Sequence, residues 1–166
     1  MTALLSSFGP LLMKTDPVSP ATILLVDDNT HGLVARGMIL QDLGHTVVTA
    51  LSGEEGWELF QKSHFDLVVT DYRMGKMNGL ELIRLIRASE SPARIILLSG
   101  FVGCLGMPDA ETGADEVLAK SNKEVPELLR AVKKLAHNPP RRKPGSTRST
   151  GSAARRPAAL KKTGLG

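Results

Sequence analysis

Polar residues stand directly after four short apolar segments of this sequence. They are Asp27 with Asp28, then Asp71, Ser99 and Lys120. Three carboxylates brought close together repel one another, and a hard divalent cation such as Mg²⁺ relieves that repulsion. An aspartate can also attack a phosphoryl group, and a metal ion, a hydroxyl and an ammonium group can then offset the charge on the phosphoryl oxygens. These residue types therefore suit metal-assisted phosphoryl chemistry, provided that the fold brings them together.

Asp71 is the group on which we expect the others to converge. The segment before it, Leu67–Thr70, has the length and composition of a strand that is buried on both faces. A glycine-containing loop follows it. Open parallel sheets place their chemistry at the carboxyl ends of such strands, so Asp71 is predicted to be the working group.

The elements that must position these residues alternate along the chain between short apolar strands and longer helices. The predicted strands are Thr22–Val26, Thr46–Ala50, Leu67–Thr70, Arg94–Leu98 and Val117–Ala119. The predicted helices are His31–Leu43 with Asn29 or Thr30 as its cap, one that starts with a capping box of Ser52 and Glu55, one capped by Asn78, at most a short one within Phe101–Gly113, and about Lys123–Ala136. Each of two helices is predicted to carry an apolar stripe: Gly79, Leu82, Ile83 and Ile86 in the third, and Val125, Leu128, Leu129, Val132, Leu135 and Ala136 in the last. This alternation favours an α/β fold, a doubly wound five-stranded parallel sheet flanked by about five helices.

The strand order 2-1-3-4-5 suits a chain of this length. In that order strand 3 lies between strands 1 and 4, so the acids that end strands 1 and 3 face each other across a crevice. Asp27, Asp28 and Asp71 are therefore expected to cluster, with Ser99 and Lys120 approaching from the other side.

Charge divides the chain into three predicted regions: a flexible leader over residues 1–20, a domain over 21–138 and a disordered basic tail over 139–166. The tail holds eight of the 21 basic residues and none of the 17 acidic ones, which leaves residues 1–138 with 13 basic and 17 acidic residues and a net charge of −4. Its composition, rich in Pro, Gly, Ser and Arg, cannot bury enough apolar surface to order itself. The single cysteine excludes an intramolecular disulfide. No apolar run is long enough to span a membrane, and we expect a cytoplasmic location.

These motifs together resemble the response-regulator receiver domain of two-component signalling, which has a flavodoxin-like fold. The matching segments are Ile23–Asn29, Val69–Met74 with Met77–Gly79, Leu98–Gly100, and Gly113–Glu116 leading to Lys120, so the likeness spans about residues 21–137.

The resemblance implies a role for each of the polar residues. Asp71 would accept a phosphoryl group from a phosphohistidine of a histidine kinase or a histidine phosphotransfer protein. Asp28, Asp71 and the main-chain carbonyl of Arg73 would hold Mg²⁺, with Asp27 helping through water. Ser99 and Lys120 would report the phosphoryl group to a surface that docks a downstream protein. The chain would then be a phosphoacceptor, not an enzyme with a separate substrate.

Several positions depart from the family's pattern. Gly75 and Ser121 stand where the family commonly has proline, and Val117 stands where it often has an aromatic switch residue. The bond between Lys120 and Ser121 is therefore either trans, with the lysine aimed differently, or a strained cis bond. With the irregular stretch Phe101–Gly113, these departures suggest that phosphoryl chemistry is kept while the usual readout is altered.

Two other functions remain open at the level of sequence. One is a degenerate receiver that binds partners without phosphorylation, which Ser121 and Val117 motivate. The other is a phosphatase with an aspartyl nucleophile, a class that would favour an Asp-x-Asp pair where this chain has the adjacent Asp27 and Asp28. The basic residues of 141–162 could also contact nucleic acid or an acidic partner without specificity.

Overall fold

A five-stranded parallel sheet with helices on both faces forms the part of the chain that the structure describes. The computed structural model describes residues 20–100 and 109–136. The strands are β1 (Thr22–Val26), β2 (Thr46–Ala50), β3 (Leu67–Asp71), β4 (Arg94–Ser99) and β5 (Glu116–Ala119). The helices are α1 (Thr30–Asp42), α2 (Gly53–Lys62), α3 (Gly79–Ala88), the four-residue α4 (Asp109–Thr112) and α5 (Glu124–Ala136).

The strand order is β2-β1-β3-β4-β5, and every neighbouring pair is parallel, which confirms the predicted doubly wound fold. Val26 lies opposite Thr70, and Ser99 lies opposite Ala119. Asp27 and Asp71, the residues after Val26 and Thr70, therefore lie side by side at the carboxyl edge of the sheet. Asp71 and Ser99 are the last residues of β3 and β4, one residue beyond the apolar runs Leu67–Thr70 and Arg94–Leu98.

Both faces of the sheet are covered because both faces of its strands are apolar. One core layer forms where α1 and α5 pack on side chains such as Ile23, Val69 and Ile96. The other forms where α2 and α3 pack on side chains such as Leu24 and Val68. Along α3 the predicted stripe of Gly79, Leu82, Ile83 and Ile86 is buried. Along α5, Leu128, Val132 and Leu135 of the predicted stripe are buried and Leu129 and Ala136 are partly buried, whereas Val125 in the first turn is 38% exposed.

Side-chain caps fix where the helices begin, and with them the loops beside the acidic residues. The Asn29 side chain accepts a hydrogen bond from the Gly32 N–H at 3.1 Å and starts α1 directly after the Asp27-Asp28 pair. Asn78 and Glu81 form a full capping box at α3. Only half of the box predicted at α2 forms: Ser52 accepts from the Glu55 N–H, while the Glu55 carboxylate accepts from the Leu51 N–H instead.

Several predictions lie wholly or partly outside the described residues. Among them are the predictions for the leader up to residue 19, for residues 101–108 and for the tail from residue 137. Within the described ranges there is no cis peptide bond, so the Lys120–Ser121 bond is trans. No helix in the same ranges is both long and apolar enough to cross a membrane.

Candidate metal centre at the carboxyl edge of the sheet

Three carboxylates meet at the carboxyl ends of β1 and β3. One oxygen from each of Asp27, Asp28 and Asp71 lies within 4.8 Å of one from each of the others. Asp27 and Asp71 are buried, with 1% and 5% exposure, whereas Asp28 is exposed. The three aspartates thus cluster as predicted from the strand order, and the structure adds that two of them are buried while Asp28 is open to solvent.

Lys120 brings an ammonium group onto this cluster from the end of β5. Its Nζ lies 2.9 Å from Oδ2 of Asp71 and 3.4 Å from Oδ2 of Asp27. The Lys120 main-chain N–H also donates to the Ser99 carbonyl at 2.8 Å, which extends the β4–β5 pairing up to the lysine. The trans peptide bond to Ser121 therefore does not prevent the lysine from reaching the acids.

The pKa of Asp71 is raised above its ordinary value of 3.8. Burial is the largest cause, and the negative charge of Asp27 adds to it. The hydrogen bond and charge of Lys120, and a hydrogen bond from the Arg73 main-chain N–H, act in the opposite direction without cancelling the effect. The stabilisation that Lys120 and Arg73 give to the charged form of Asp71 is thus smaller than the cost of burying that charge beside Asp27.

Asp27 is fully engaged by protein groups. Its Oδ1 accepts a hydrogen bond from the Asn29 N–H at 2.8 Å, which helps to set the turn into α1. Its Oδ2 accepts from Nη1 of Arg36 at 2.7 Å as well as facing Lys120. Nε of Arg36 in turn donates to the first residue of α5, Glu124, at 2.5 Å.

Arg36 and Glu124 are parts of this site that the sequence analysis missed. The position of Arg36 held a signal: it shares the inner stripe of α1 with Leu33, Gly37 and Leu40, where an apolar residue is the norm. A buried arginine in such a stripe calls for an acidic partner. Nothing in the pattern could identify Glu124, which lies 88 residues away along the chain.

Ser99 and Arg73, two further predicted site residues, differ in burial. Ser99 is completely buried at the end of β4, next along the strand to Leu98, which pairs with Asp71 in the sheet register. Arg73 is exposed in the loop after β3. The described contacts place the Arg73 main-chain N–H on Asp71, while the use of its carbonyl as a metal ligand remains a prediction.

A close backbone approach holds the loop between β3 and α3 against the acceptor. The Gly79 N–H donates to the Tyr72 carbonyl at 3.0 Å, and the Tyr72 N–H donates to the Leu98 carbonyl at 2.8 Å. A Cβ atom at position 79 would lie 2.2 Å from the Asp71 carbonyl oxygen, so only glycine fits there. The start of α3 is thereby packed directly onto the residue that carries the working carboxylate.

The donor set fits a hard divalent cation. Carboxylate oxygens are the ligands that Mg²⁺ prefers, and it commonly binds one or two of them while keeping several waters. The exposed Asp28 leaves such an ion open to solvent and to a substrate oxygen. Burial and the negative charge of Asp27 raise the pKa of Asp71, and a divalent cation beside these carboxylates would favour their charged forms, so the residues present suit the ion.

Comparison with known proteins gives the same picture. A family model described as the response regulator receiver domain matches residues 23–133. The chain is 32% identical over 118 residues to the gliding motility regulatory protein of Myxococcus xanthus, covering 68% of this chain and 15% of that protein. It is 39% identical over 80 residues to the transcriptional regulatory protein GlrR of Escherichia coli, covering 48% of this chain and 18% of GlrR. The chain thus spans less than a fifth of the length of either of these two relatives.

Two solved structures of response regulators have the same fold as the described part of this chain. The response regulator TrrA of Thermotoga maritima, determined in complex with Mg²⁺ and BeF, is 36% identical with a TM-score of 0.62, and the match covers 69% of this chain and 97% of that one. The chemotaxis response regulator CheY4 of Vibrio cholerae is 27% identical with a TM-score of 0.62, and the match covers 69% of this chain and 99% of that one. The family model covers more than half of this chain, and the fold and the acidic cluster accord with it. The chain therefore belongs to the response regulator receiver domain family of two-component systems.

Proposed function

We propose that Asp71 accepts a phosphoryl group, with the help of Mg²⁺, from a phosphohistidine of a histidine kinase or a histidine phosphotransfer protein. The observation that carries this proposal is the placement of the Asp71 carboxylate, with Lys120 Nζ at 2.9 Å and the oxygens of Asp27 and Asp28 within 4.8 Å. A carboxylate nucleophile, an ammonium group and further acidic ligands are thereby assembled at one edge of the sheet.

In the proposed transfer, an oxygen of Asp71 forms a bond to phosphorus while the bond from phosphorus to the donor's imidazole nitrogen breaks. Lys120 then moves from the Asp71 oxygen to a phosphoryl oxygen, and the Ser99 hydroxyl donates to another. A Mg²⁺ ion held by Asp28, Asp71 and the Arg73 carbonyl, with Asp27 helping through water, would supply the remaining charge compensation. The transferred group stays on the protein, so the chain is proposed to act as a phosphoacceptor and not as an enzyme.

The relatives support a signalling role without defining its output. Their names describe regulators of motility and transcription, and the chain matches only a small part of each. We propose that phosphorylation changes how the domain docks to a downstream protein. With Ser121 after the lysine and the half-buried Val117 in β5, the usual readout is proposed to be altered while the chemistry is retained. Contact between the basic residues of 141–162 and nucleic acid or an acidic partner stays a prediction.

A phosphorylation assay tests the proposal and separates it from a receiver that acts without phosphorylation. The protein is incubated with acetyl phosphate and Mg²⁺ and its intact mass is measured. We expect an adduct of about 80 Da on the wild type and none on Asp71→Ala. The matched control is Asp42→Ala, which removes an exposed aspartate from the end of α1 and should leave the adduct unchanged. No adduct on the wild type, or an equal adduct on Asp71→Ala, would overturn the proposal.

A further inference from the structure

Arg36 carries a permanent positive charge into the buried side of the acidic cluster. The residue is 8% exposed and lies on the face of α1 that packs against the sheet. Gly32, one turn earlier, leaves the space that its guanidinium occupies, because a Cβ there would lie 2.8 Å from Nη1 of Arg36. The guanidinium is therefore buried, in space that the lack of a side chain at position 32 leaves open.

The guanidinium bridges two carboxylates from different parts of the chain. Nη1 contacts Oδ2 of Asp27 at 2.7 Å, and Nε contacts Oε1 of Glu124 at 2.5 Å. Asp27 belongs to the acidic cluster, whereas Glu124 is the first residue of α5. The fork of the arginine thus joins the cluster to the start of α5 through charge-assisted hydrogen bonds.

The contact on Asp27 occupies the oxygen that faces the rest of the site. Asp27 Oδ1 is taken by the Asn29 N–H, and Oδ2 is shared between Arg36 and Lys120. If Lys120 moves to a phosphoryl oxygen, Arg36 remains on Asp27, so the buried carboxylate is never left without a cation. For the same reason, Arg36 already balances the negative charge of Asp27 before a divalent cation binds to the cluster.

We propose that Arg36 is a resident counter-ion of the acidic cluster, which competes with the divalent cation for the charge of Asp27 and is itself tuned by Glu124 at the start of α5. The inference rests on the metal site of the proposed function. Arg36 is a positioning residue in this account, since it acts on the metal and the phosphoryl group only through Asp27.

Competition of this kind predicts an order of Mg²⁺ affinities that a purely structural role does not. Arg36→Met removes the competing cation and should tighten Mg²⁺ binding by about tenfold, the scale of effects from residues that contact metal ligands. Glu124→Gln removes the charge that partly neutralises Arg36, leaves the arginine on Asp27, and should weaken Mg²⁺ binding several-fold. The double variant should bind Mg²⁺ more tightly than the wild type. Arg36→Lys keeps a cation and should lie nearer to the wild type than Arg36→Met does.

The test is isothermal titration of MgCl₂ into the wild type and these variants, with thermal melts to verify folding. Glu124→Gln keeps the side-chain shape, so it remains informative if loss of the arginine impairs folding. The matched control is Glu116→Gln, which removes the same charge from an ion pair with Lys134 at the opposite end of β5 and should leave the affinity unchanged.

The outcomes distinguish this inference from the proposed function. Weaker binding by Glu124→Gln with no change in Glu116→Gln supports the role of Arg36. Unchanged or tighter binding by Glu124→Gln, or weaker binding by a folded Arg36→Met, overturns the role of Arg36 alone, because the metal site would still be present. No binding of Mg²⁺ by the wild type would overturn both the inference and the metal site of the proposed function.

Discussion

Two ionic clusters in this domain use the same residue types with opposite balances of charge. At the carboxyl edge of the sheet, the three clustered aspartates and Glu124 share two cations, Lys120 and Arg36. Near the amino end of β4, the described contacts place two arginines on the carboxylate of Asp115. Nη2 of Arg87 contacts it at 2.7 Å and Nη1 of Arg94 at 3.0 Å, and the Ile95 N–H donates to it at 2.8 Å.

The difference in balance separates a structural cluster from a functional one. Arg87 also donates to the Gly113 and Ala93 carbonyls, so the Asp115 cluster ties the end of α3 to the segments that enter β4 and β5. In its described contacts, the Asp115 carboxylate faces two guanidinium groups. In the acidic cluster at the other edge, the pKa of Asp71 is raised, mainly by burial and further by the negative charge of Asp27. A carboxylate whose pKa is raised by burial and by a neighbouring like charge marks a candidate functional site, as the proposed metal-assisted phosphorylation of Asp71 requires.

The largest effect should come from removing Lys120, the ammonium group that contacts Asp71. Lys120→Met takes the ammonium group away from Asp71 and from the oxygens of a transferring phosphoryl group. We expect the rate of phosphorylation by acetyl phosphate to fall about 100-fold or more, the scale found for losing one group that stabilises a transition state. Rates are followed by intact mass over time. The control is Lys134→Met, which breaks the exposed ion pair between Lys134 of α5 and Glu116 of β5. This variant should react at the wild-type rate. Equal rates for Lys120→Met and the wild type would break the distinction between the two clusters.

A large effect of another kind is expected at the structural cluster. Asp115→Asn takes the Asp115 carboxylate away from two partly buried arginines, since the side chains of Arg87 and Arg94 are 19% and 20% exposed. The free energy of unfolding should fall by about 2–3 kcal/mol, somewhat less than for a fully buried pair. Urea unfolding measures this. At temperatures where the variant is folded, its phosphorylation rate should match that of the wild type, and a selective loss of phosphorylation would contradict the structural assignment.

A smaller effect follows from the pKa of Asp71. Because this pKa is raised, the folded protein holds the Asp71 proton more tightly than the unfolded chain does. Stability is therefore lost as the pH rises from the ordinary value of 3.8 through the raised value, and the penalty is fully present above it. Asp71→Asn lacks this penalty. Without divalent cations, it should be more stable than the wild type at neutral pH, by a margin that shrinks as the pH falls through that window.

Urea unfolding of both proteins between about pH 4 and about pH 7 measures the margin. Asp115→Asn, by contrast, should be less stable than the wild type at neutral pH. A margin for Asp71→Asn that is negative at neutral pH would mean that Lys120 and Arg36 already satisfy the acidic cluster.

Most of the site's framework could be predicted from sequence because it depends on local patterns. Apolar runs of strand length that alternate with helices predicted a doubly wound sheet, and the strand order that suits this length placed Asp27, Asp28, Asp71 and Lys120 together. Neighbouring residues likewise predicted the helix cap at Asn78, and narrowed the cap of α1 to Asn29 or Thr30, of which Asn29 forms it. The family resemblance added roles that the residues by themselves leave open.

The parts that escaped prediction depend on contacts between distant segments. Arg36 and Glu124 are far apart in sequence, and only the folded arrangement of α1 and α5 shows that Glu124 contacts the same guanidinium that binds Asp27. The sign of the pKa shift at Asp71 also depends on how burial compares with the pull of Lys120, which residue spacing does not reveal. Sequence patterns thus predict where the strands end, whereas the balance of charge at those ends follows only from the folded structure.

The most direct test of the central claim is a crystal structure of the protein with Mg²⁺ and beryllofluoride, a mimic of the phosphoryl group. The account predicts beryllofluoride bonded to an oxygen of Asp71, Mg²⁺ on Asp28 and Asp71, and Lys120 Nζ moved from the Asp71 carboxylate to a fluorine. Beryllofluoride and Mg²⁺ bound elsewhere, or Asp71 still paired with Lys120 and free of both under saturating conditions, would contradict it.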